Sequence, residues 1–155
     1  MTHDSRLALF VNRRTQDLIK RHEGKRNQLY LDTEGVLTGG IGHAFKAGGE
    51  LSESVIRLLF DEDYVAAVMN YFRLVEFNGL PKLDDVRKAV LVDMTFNLGV
   101  RGVMGFQKML GAIFRGDWEM AADEMLDSKW ARQVGSRAVE LAKMMRTGKW
   151  PAWMD

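Results

Sequence analysis

EGKRNQLYLDTEGVLTGGIGH, residues 23–43, is the part of the chain that says most about its architecture. Between Leu29 and Phe45, apolar residues alternate with turn formers, among them Asp32-Thr33-Glu34-Gly35 and four glycines. This pattern predicts a short β-hairpin or meander. Before it, apolar positions recur at helical spacing over residues 5–23, and Gly24 is a natural end for that helix.

The rest of the chain has the pattern of helices. Ser52 is a good N-cap for a helix that runs to about residue 72, and Asn78-Gly79-Leu80-Pro81 breaks it. Further helices are expected at about residues 83–98, 103–114, from 117 onward and 136–145. We therefore predict one mainly helical α+β domain over residues 1–155, with a cleft between two lobes. Its parts are an N-terminal extension (1–14), an N-terminal lobe with the hairpin (15–50), a connecting helix (51–79) and an all-helical lobe (80–155).

Composition excludes several classes of protein. With 22 Lys+Arg against 21 Asp+Glu in 155 residues, the chain is neither a uniformly basic nucleic-acid coat nor an acidic disordered tail. The absence of cysteine excludes a disulfide framework, a thiolate metal site and a cysteine nucleophile. No apolar run reaches the roughly 18 residues of a membrane span. Leu7–Val11 is too short and wrongly flanked for a signal peptide, so we expect an amphipathic helix there and no export signal.

Two carboxylates and a hydroxyl in residues 23–43 are suited to hydrolysis. Glu23 lies in the last helical turn, where the helix dipole disfavours an ionised carboxylate and so suits a general acid. Asp32, at the edge of the turn, can stay hydrated and ionised, and the Thr38 hydroxyl can hold a water. Two carboxylates in different environments and a hydroxyl that can hold a water are the groups that an inverting glycoside hydrolase needs. Singly, each has a plainer interpretation, because a glutamate near a helix end is usually solvated and such an aspartate is usually a turn former.

The order of these residues resembles the phage T4-type lysozymes, the endolysin family of muramidases. Its most specific part is Glu23, eight residues, Asp32, five residues and Thr38, closing on Gly-Ile-Gly-His at 40–43. The resemblance covers about residues 15–153 and continues in order through Leu83–Ala89, Phe96–Gly99, Gly105-Phe106, Ser128–Trp130, Ser136–Ala138 and Arg146–Trp150.

The resemblance implies a role for each matching residue. Glu23 would protonate the glycosidic oxygen, Asp32 would be the base that activates water, and Thr38 would help to hold that water. Arg137 matches the position whose guanidinium pairs with the catalytic glutamate across the lobes.

Further positions are expected to support the structure or to contact sugar. His43 and Asp63 match a pair that joins the hairpin lobe to the long helix. Phe96 and Ala44 match sugar-contacting positions, Ala44 through its backbone. Asn97 lies in a polar row along one face of the same helix as Phe96, as expected of a cleft wall.

The chain also departs from the family pattern. Met109 and Glu124 stand where the family often places small polar contacts, which leaves fine substrate preference open. Of the four tryptophans, we expect Trp118, Trp150 and Trp153 in the core, whereas Trp130 is left open because the family places it near the cleft.

No cofactor or metal is expected, because the three histidines lack ligand spacing. A basic cluster in residues 12–26 fits nucleic acid or an anionic wall polymer, and with the resemblance we expect the wall polymer.

The resemblance implies an endolysin that hydrolyses the β-1,4 linkage between N-acetylmuramic acid and N-acetylglucosamine in peptidoglycan, with inversion and as a monomer. It would accumulate in the host cytoplasm and reach the wall through a pore made by a separate protein. Three alternatives remain: a non-catalytic peptidoglycan- or chitin-binding module on the same fold, an enzyme acting mainly on chitin, and a nucleic-acid-binding helical domain.

Overall fold

The computed structural model describes residues 13–154. The chain divides between Ser52 and Glu53 into two compact units, an N-terminal unit and a helical unit. The first part of the helix predicted over residues 5–23, with Leu7–Val11, lies outside the described residues.

The N-terminal unit contains a helix followed by a three-stranded antiparallel meander. Helix α1 spans Arg13–Glu23 and ends at Gly24, whose positive φ (+69°) and N–H···O bond to Lys20 (2.9 Å) close the last turn. The strands, in sheet order, are β1 (Arg26–Leu31), β2 (Leu37–Gly40) and β3 (His43–Ala44). The predicted hairpin or meander is confirmed, although its first strand begins before Leu29.

The described part of the helical unit consists of six α-helices and a final 3-10 turn. They are α2 (Glu53–Asn78), α3 (Asp85–Met104), α4 (Gln107–Arg115), α5 (Trp118–Leu126), α6 (Lys129–Val134), α7 (Ser136–Thr147) and the turn Ala152–Met154. The mainly helical α+β fold is confirmed. Among residues 13–154 no single helix has the length and hydropathy of a membrane span; only α3 and α4, bent by 99° to each other, pass that test as a pair.

Several helix boundaries differ from the predictions. Helix α2 continues past residue 72 and ends at the predicted break. Gly99 kinks α3 (φ +68°, ψ 169°) instead of ending it, and the helix predicted at 103–114 begins only at Gln107. A glycine bends a helix without ending it when the residues beyond still have an apolar face to bury, and Val103, just beyond the kink, is fully buried.

Helix α6 was not predicted. Its six residues are too few for a periodic apolar pattern, and the available signal was Ser128, whose hydroxyl oxygen accepts from the Ala131 N–H at 2.9 Å as an N-cap.

The hydrophobic core lies in the helical unit. Its largest fully buried apolar side chains are Leu74, Leu91, Met94, Met109, Ile113, Met125 and Met145. The core prediction is wrong for Trp150 and Trp153, which are 45% and 70% exposed, because both follow the end of α7 at Gly148 (φ +62°). Trp118 packs partly buried against the core, and Trp130 is buried.

Candidate active site

Asp32 shapes the turn between β1 and β2. Its Oδ1 accepts hydrogen bonds from the backbone N–H groups of Glu34 (2.9 Å) and Val36 (2.8 Å), and Gly35 completes the turn with a φ of +75°. The plainer interpretation of Asp32 as a turn former is therefore correct. It does not exclude a chemical role, because these two bonds use one carboxylate oxygen and hold the other in a defined direction.

The second oxygen of Asp32 faces Thr38. Thr38 lies on the central strand, opposite Tyr30 of β1 and Ala44 of β3, and only 5% of its surface is exposed. Its Oγ1 is 3.4 Å from Asp32 Oδ2 and 3.0 Å from the Val36 carbonyl oxygen. A hydroxyl has one proton, so a bond donated to the closer carbonyl leaves the hydroxyl lone pairs free beside Asp32.

Glu23 is the last residue of α1, and its side chain is exposed. Its carboxyl group lies against the backbone of Gly42, in the turn between β2 and β3: a Cβ built on Gly42 would be 2.5 Å from Glu23 Oε2. The end of α1 and the meander thus bring the predicted acid to the same small sheet that holds the predicted base and the hydroxyl.

His43 and Ala44 form β3. The His43 ring is exposed and packs edge-on against Phe45, with 4.8 Å between ring centroids. Ala44 pairs with Thr38 across the sheet, which places its backbone beside that of Thr38. Asp63 lies on α2 of the helical unit and lines a small hollow with Thr95. The pairing of His43 with Asp63 stays a prediction.

Arg137 has a carboxylate partner that sequence reasoning missed. Its Nε and Nη2 lie 2.9 Å and 2.8 Å from Asp93 Oδ1, so an ion pair joins α7 to α3 within the helical unit. The signal in the sequence was the polar row on α3 that includes Asp93, but nothing in it pointed to a residue 44 positions away. The pairing of Arg137 with Glu23 stays a prediction.

Asn97, one turn after Asp93, is also held by another helix. Its Oδ1 accepts a hydrogen bond from the Trp130 indole N–H at 2.8 Å. This bond explains why Trp130 can be buried in the helical unit, since the polar end of its indole has a partner. Both N–H donors of the Asn97 amide nitrogen remain for a ligand.

Phe96 presents an aromatic ring beside this row. It is 43% exposed and lines a cavity of about 720 Å³ in the helical unit, together with Phe60, whose ring centroid is 6.1 Å away. Arg137 and Asp93 line the same cavity. The predicted sugar contact Phe96 is therefore accessible, in a mixed aromatic and charged setting of the kind that sugars bind.

Two titratable groups in this cavity have shifted pKa values. Burial raises the pKa of the Tyr71 phenol, against a smaller lowering by Lys88. The pKa of Lys88 is raised by its hydrogen bond and ion pair with Asp85. At neutral pH the tyrosine is therefore uncharged and the lysine charged, and neither is poised to transfer a proton.

The two family positions that differ in this chain, Met109 and Glu124, lie at the same groove but differ in exposure. Met109 is fully buried in the core beneath the groove. Glu124 lines a groove of about 580 Å³ with Phe106 and Trp130, and it pairs with Lys108 at 3.8 Å. A charged pair thus lies on this groove where the family often has small polar contacts.

Within residues 13–154, the structure has no group of three or more His, Asp or Glu side chains arranged to hold a metal ion.

Comparison with known proteins adds to this geometry. The phage lysozyme family model matches residues 20–146, a span that includes Glu23, Asp32, Thr38 and Arg137. "Probable T4-type lysozyme 1" of Dictyostelium discoideum is 28% identical over 159 residues, which cover 86% of this chain and 94% of that protein. "Probable T4-type lysozyme 2" of the same organism is also 28% identical over 159 residues. The pre-baseplate central spike protein Gp5 of Enterobacteria phage T4 is 29% identical over 157 residues, which cover 85% of this chain but 27% of the spike protein.

Proposed function

Since the chain belongs to the phage lysozyme family and is thereby a glycoside hydrolase, we propose that it cleaves the β-1,4 linkage between N-acetylmuramic acid and N-acetylglucosamine in peptidoglycan, with inversion. The observation that carries this proposal is that the two oxygens of the Asp32 carboxylate have different contacts. One oxygen is committed to the turn, and the other faces the Thr38 hydroxyl at 3.4 Å.

The proposed reaction is a single displacement by water. The Asp32 carboxylate takes one proton from a water molecule, whose oxygen forms a bond to the anomeric carbon. The bond from that carbon to the glycosidic oxygen breaks, and the departing oxygen takes the proton of the Glu23 carboxyl group. Exchange with solvent then returns Glu23 to its protonated form and Asp32 to its ionised form.

Thr38 supplies the orientation that this step needs. The water can donate one hydrogen to Asp32 Oδ2 and the other to the Thr38 hydroxyl oxygen, provided that the hydroxyl proton is directed elsewhere. The Val36 carbonyl oxygen, 3.0 Å away, is an acceptor for that proton. A lone pair of the water is then left for the anomeric carbon, so the hydroxyl lowers the entropic cost of the attack.

The helical unit contributes the sugar contacts in this proposal. The exposed ring of Phe96 is available for stacking on a pyranose face. The Asn97 side chain accepts from Trp130 through its oxygen, and its amide nitrogen is available as a donor to the sugar. Ala44 would contribute its backbone beside the reacting bond.

The proposal is tested by reducing-end release from purified peptidoglycan, with every variant shown to be folded by circular dichroism. Glu23→Gln and Asp32→Asn are each expected to lose at least about a hundredfold in rate, the lower end of what general acid–base catalysis contributes. Glu34→Gln is the matched control, because Glu34 is an exposed carboxylate in the same turn; it should keep the wild-type rate.

Other results would contradict the assignment. Full activity in Glu23→Gln would refute the role of Glu23 as acid. Binding of peptidoglycan without any product from the wild-type protein would favour the non-catalytic binding module. Product from chitin but not from peptidoglycan would change the substrate.

Host lysis is the proposed biological outcome, supported by the family resemblance. The protein would act from the host cytoplasm, once a separate protein has made a pore in the membrane. Expression in a bacterial cytoplasm should leave cells intact until the membrane is permeabilised, and lysis should then follow. Lysis before permeabilisation would contradict the need for a pore-forming partner.

A further inference from the structure

Gly42 forms the surface against which the Glu23 carboxyl group rests. A Cβ built on Gly42 would lie 2.5 Å from Oε2, 2.8 Å from Cδ and 3.0 Å from Cγ of Glu23. These distances are shorter than ordinary van der Waals contact, which begins at about 3.4 Å. The whole carboxyl end of Glu23 thus occupies space that exists only because residue 42 has no side chain.

The turn conformation alone does not explain this contact. Gly42 has a φ of +66°, and Gly40, two residues earlier in the same turn, has a φ of +63°. A Cβ on Gly40 would meet no atom within 4 Å. Both positions favour glycine for their backbone conformation, but only Gly42 also makes room for a side chain of the predicted site.

The contact matters because little else restrains the Glu23 carboxylate. Its side chain is exposed, and among residues 13–154 it has neither a hydrogen bond nor an ion pair. An exposed glutamate with no partner samples many rotamers, whereas a general acid has to stay within hydrogen-bond reach of the glycosidic oxygen.

We propose that Gly42 is a positioning residue for hydrolysis, which holds the Glu23 carboxyl group in place by offering it the open face of a glycine. This inference rests on the proposed function of Glu23 as the acid. A methyl group at residue 42 has to push Oε2 away by about 1 Å to restore ordinary contact, and misplacement by about 1 Å can cost about a hundredfold in rate.

The test compares Gly42→Ala with the matched control Gly40→Ala. Both substitutions place alanine at a positive φ, so both are expected to lower the thermal midpoint, and Gly42→Ala should lower it further because its methyl group also displaces the Glu23 carboxyl group. Gly42→Ala should lose about a hundredfold in kcat with little change in KM, because the acid acts in the transition state. Gly40→Ala should keep its kcat within about threefold of wild type.

A second substitution separates positioning from a purely structural effect. Glu23→Asp shortens the acid by one methylene and withdraws its carboxyl group from residue 42. The Gly42→Ala substitution should therefore cost much less, both in kcat and in thermal midpoint, when it is made in Glu23→Asp than in the wild-type protein. The thermal midpoint also reports whether the shorter side chain relieves the clash at residue 42. The comparison between the two backgrounds therefore remains informative if Gly42→Ala alone is poorly folded.

The outcomes distinguish the two claims. With an active wild type, equal activity of Gly42→Ala and Gly40→Ala would overturn the positioning role and leave the proposed function standing. Fully additive effects in the Glu23→Asp background would overturn it as well. A folded but inactive wild type would overturn the proposed function, and with it the catalytic role of Gly42.

Discussion

Arg87 is expected to be the most sensitive charged residue for the stability of the helical unit. From α3 it reaches the last turn of α7, where its Nε donates to the Met145 carbonyl (2.8 Å) and its Nη2 to the Arg146 carbonyl (3.3 Å). The guanidinium carbon lies 4.1 Å from the centre of the Trp118 ring, and Nη1 pairs with Asp84 at 2.5 Å. The Arg87 side chain thus satisfies backbone carbonyl groups at the end of α7 and joins that helix to α3 and to Trp118 of α5.

The magnitude follows from the individual contacts. A hydrogen bond from a charged donor is worth about 1.5–3 kcal/mol, and a cation–π contact about 0.5–2 kcal/mol. The bond to Arg146 is long, and the Asp84 side chain is 43% exposed, so both of these contacts count for less. Replacing Arg87 by methionine keeps the apolar stem and removes the charge, and it should cost about 3 kcal/mol of unfolding free energy.

The measurement is urea and thermal unfolding of Arg87→Met. For a chain of this size, about 3 kcal/mol corresponds to a fall of about 6–12 °C in Tm. Arg101→Met is the control, because Arg101 is an exposed arginine of the same helix; its Tm should stay within about 2 °C of wild type. A loss below about 1 kcal/mol in Arg87→Met would refute the reasoning that this guanidinium closes α7.

Three further predictions concern the helical unit. Burial raises the pKa of Asp84, but hydrogen bonds from the Arg87 backbone and guanidinium outweigh it, so the pKa is lowered overall. Its stabilisation is therefore complete above the unfolded value of about 3.9 and fades as pH falls through the folded value; Asp84→Asn should lose less Tm than wild type between pH 5 and pH 2. Asn97→Leu leaves the buried Trp130 N–H without its acceptor and should cost about 1–3 kcal/mol in urea unfolding, whereas an unchanged midpoint would contradict that bond. Met94→Ala removes a fully buried side chain and should cost about 2–5 kcal/mol; a cost below about 1 kcal/mol would contradict the packing of this core.

The meander and the positions of the three chemical residues could be predicted because their signals are local. Gly24 marks the end of α1, and the turn at Asp32 carries its own signature of Asp followed by Gly35. Asp32 lies in the turn directly after β1, and Thr38 lies six residues later on β2, so the pairing of these two strands is enough to bring them together. A short-range pattern therefore determines most of this site.

The rest depended on contacts between distant parts of the chain. Nothing near Arg137 in the sequence indicates that Asp93 is its partner, because that choice is made by how α7 packs on α3. The size of Trp153 predicts a place in the core, but the chain beyond α7 lies at the surface, and the indole N–H of Trp153 donates to Glu140 at 2.9 Å. The contact between Gly42 and Glu23 has no signature in the sequence beyond a glycine in a turn. The space beside Gly42 that the Glu23 carboxyl group fills is defined only when both backbone segments are in place.

The most direct test of the central claim is the anomeric configuration of the first product. Proton NMR would follow the wild-type enzyme on soluble glycan strands of peptidoglycan, before mutarotation equilibrates the new reducing end. If water activated by Asp32 attacks the anomeric carbon in one displacement, the β-linkage yields the α-anomer first. Initial formation of the β-anomer would show a covalent intermediate and double displacement, and it would contradict the roles proposed for Asp32 and Thr38.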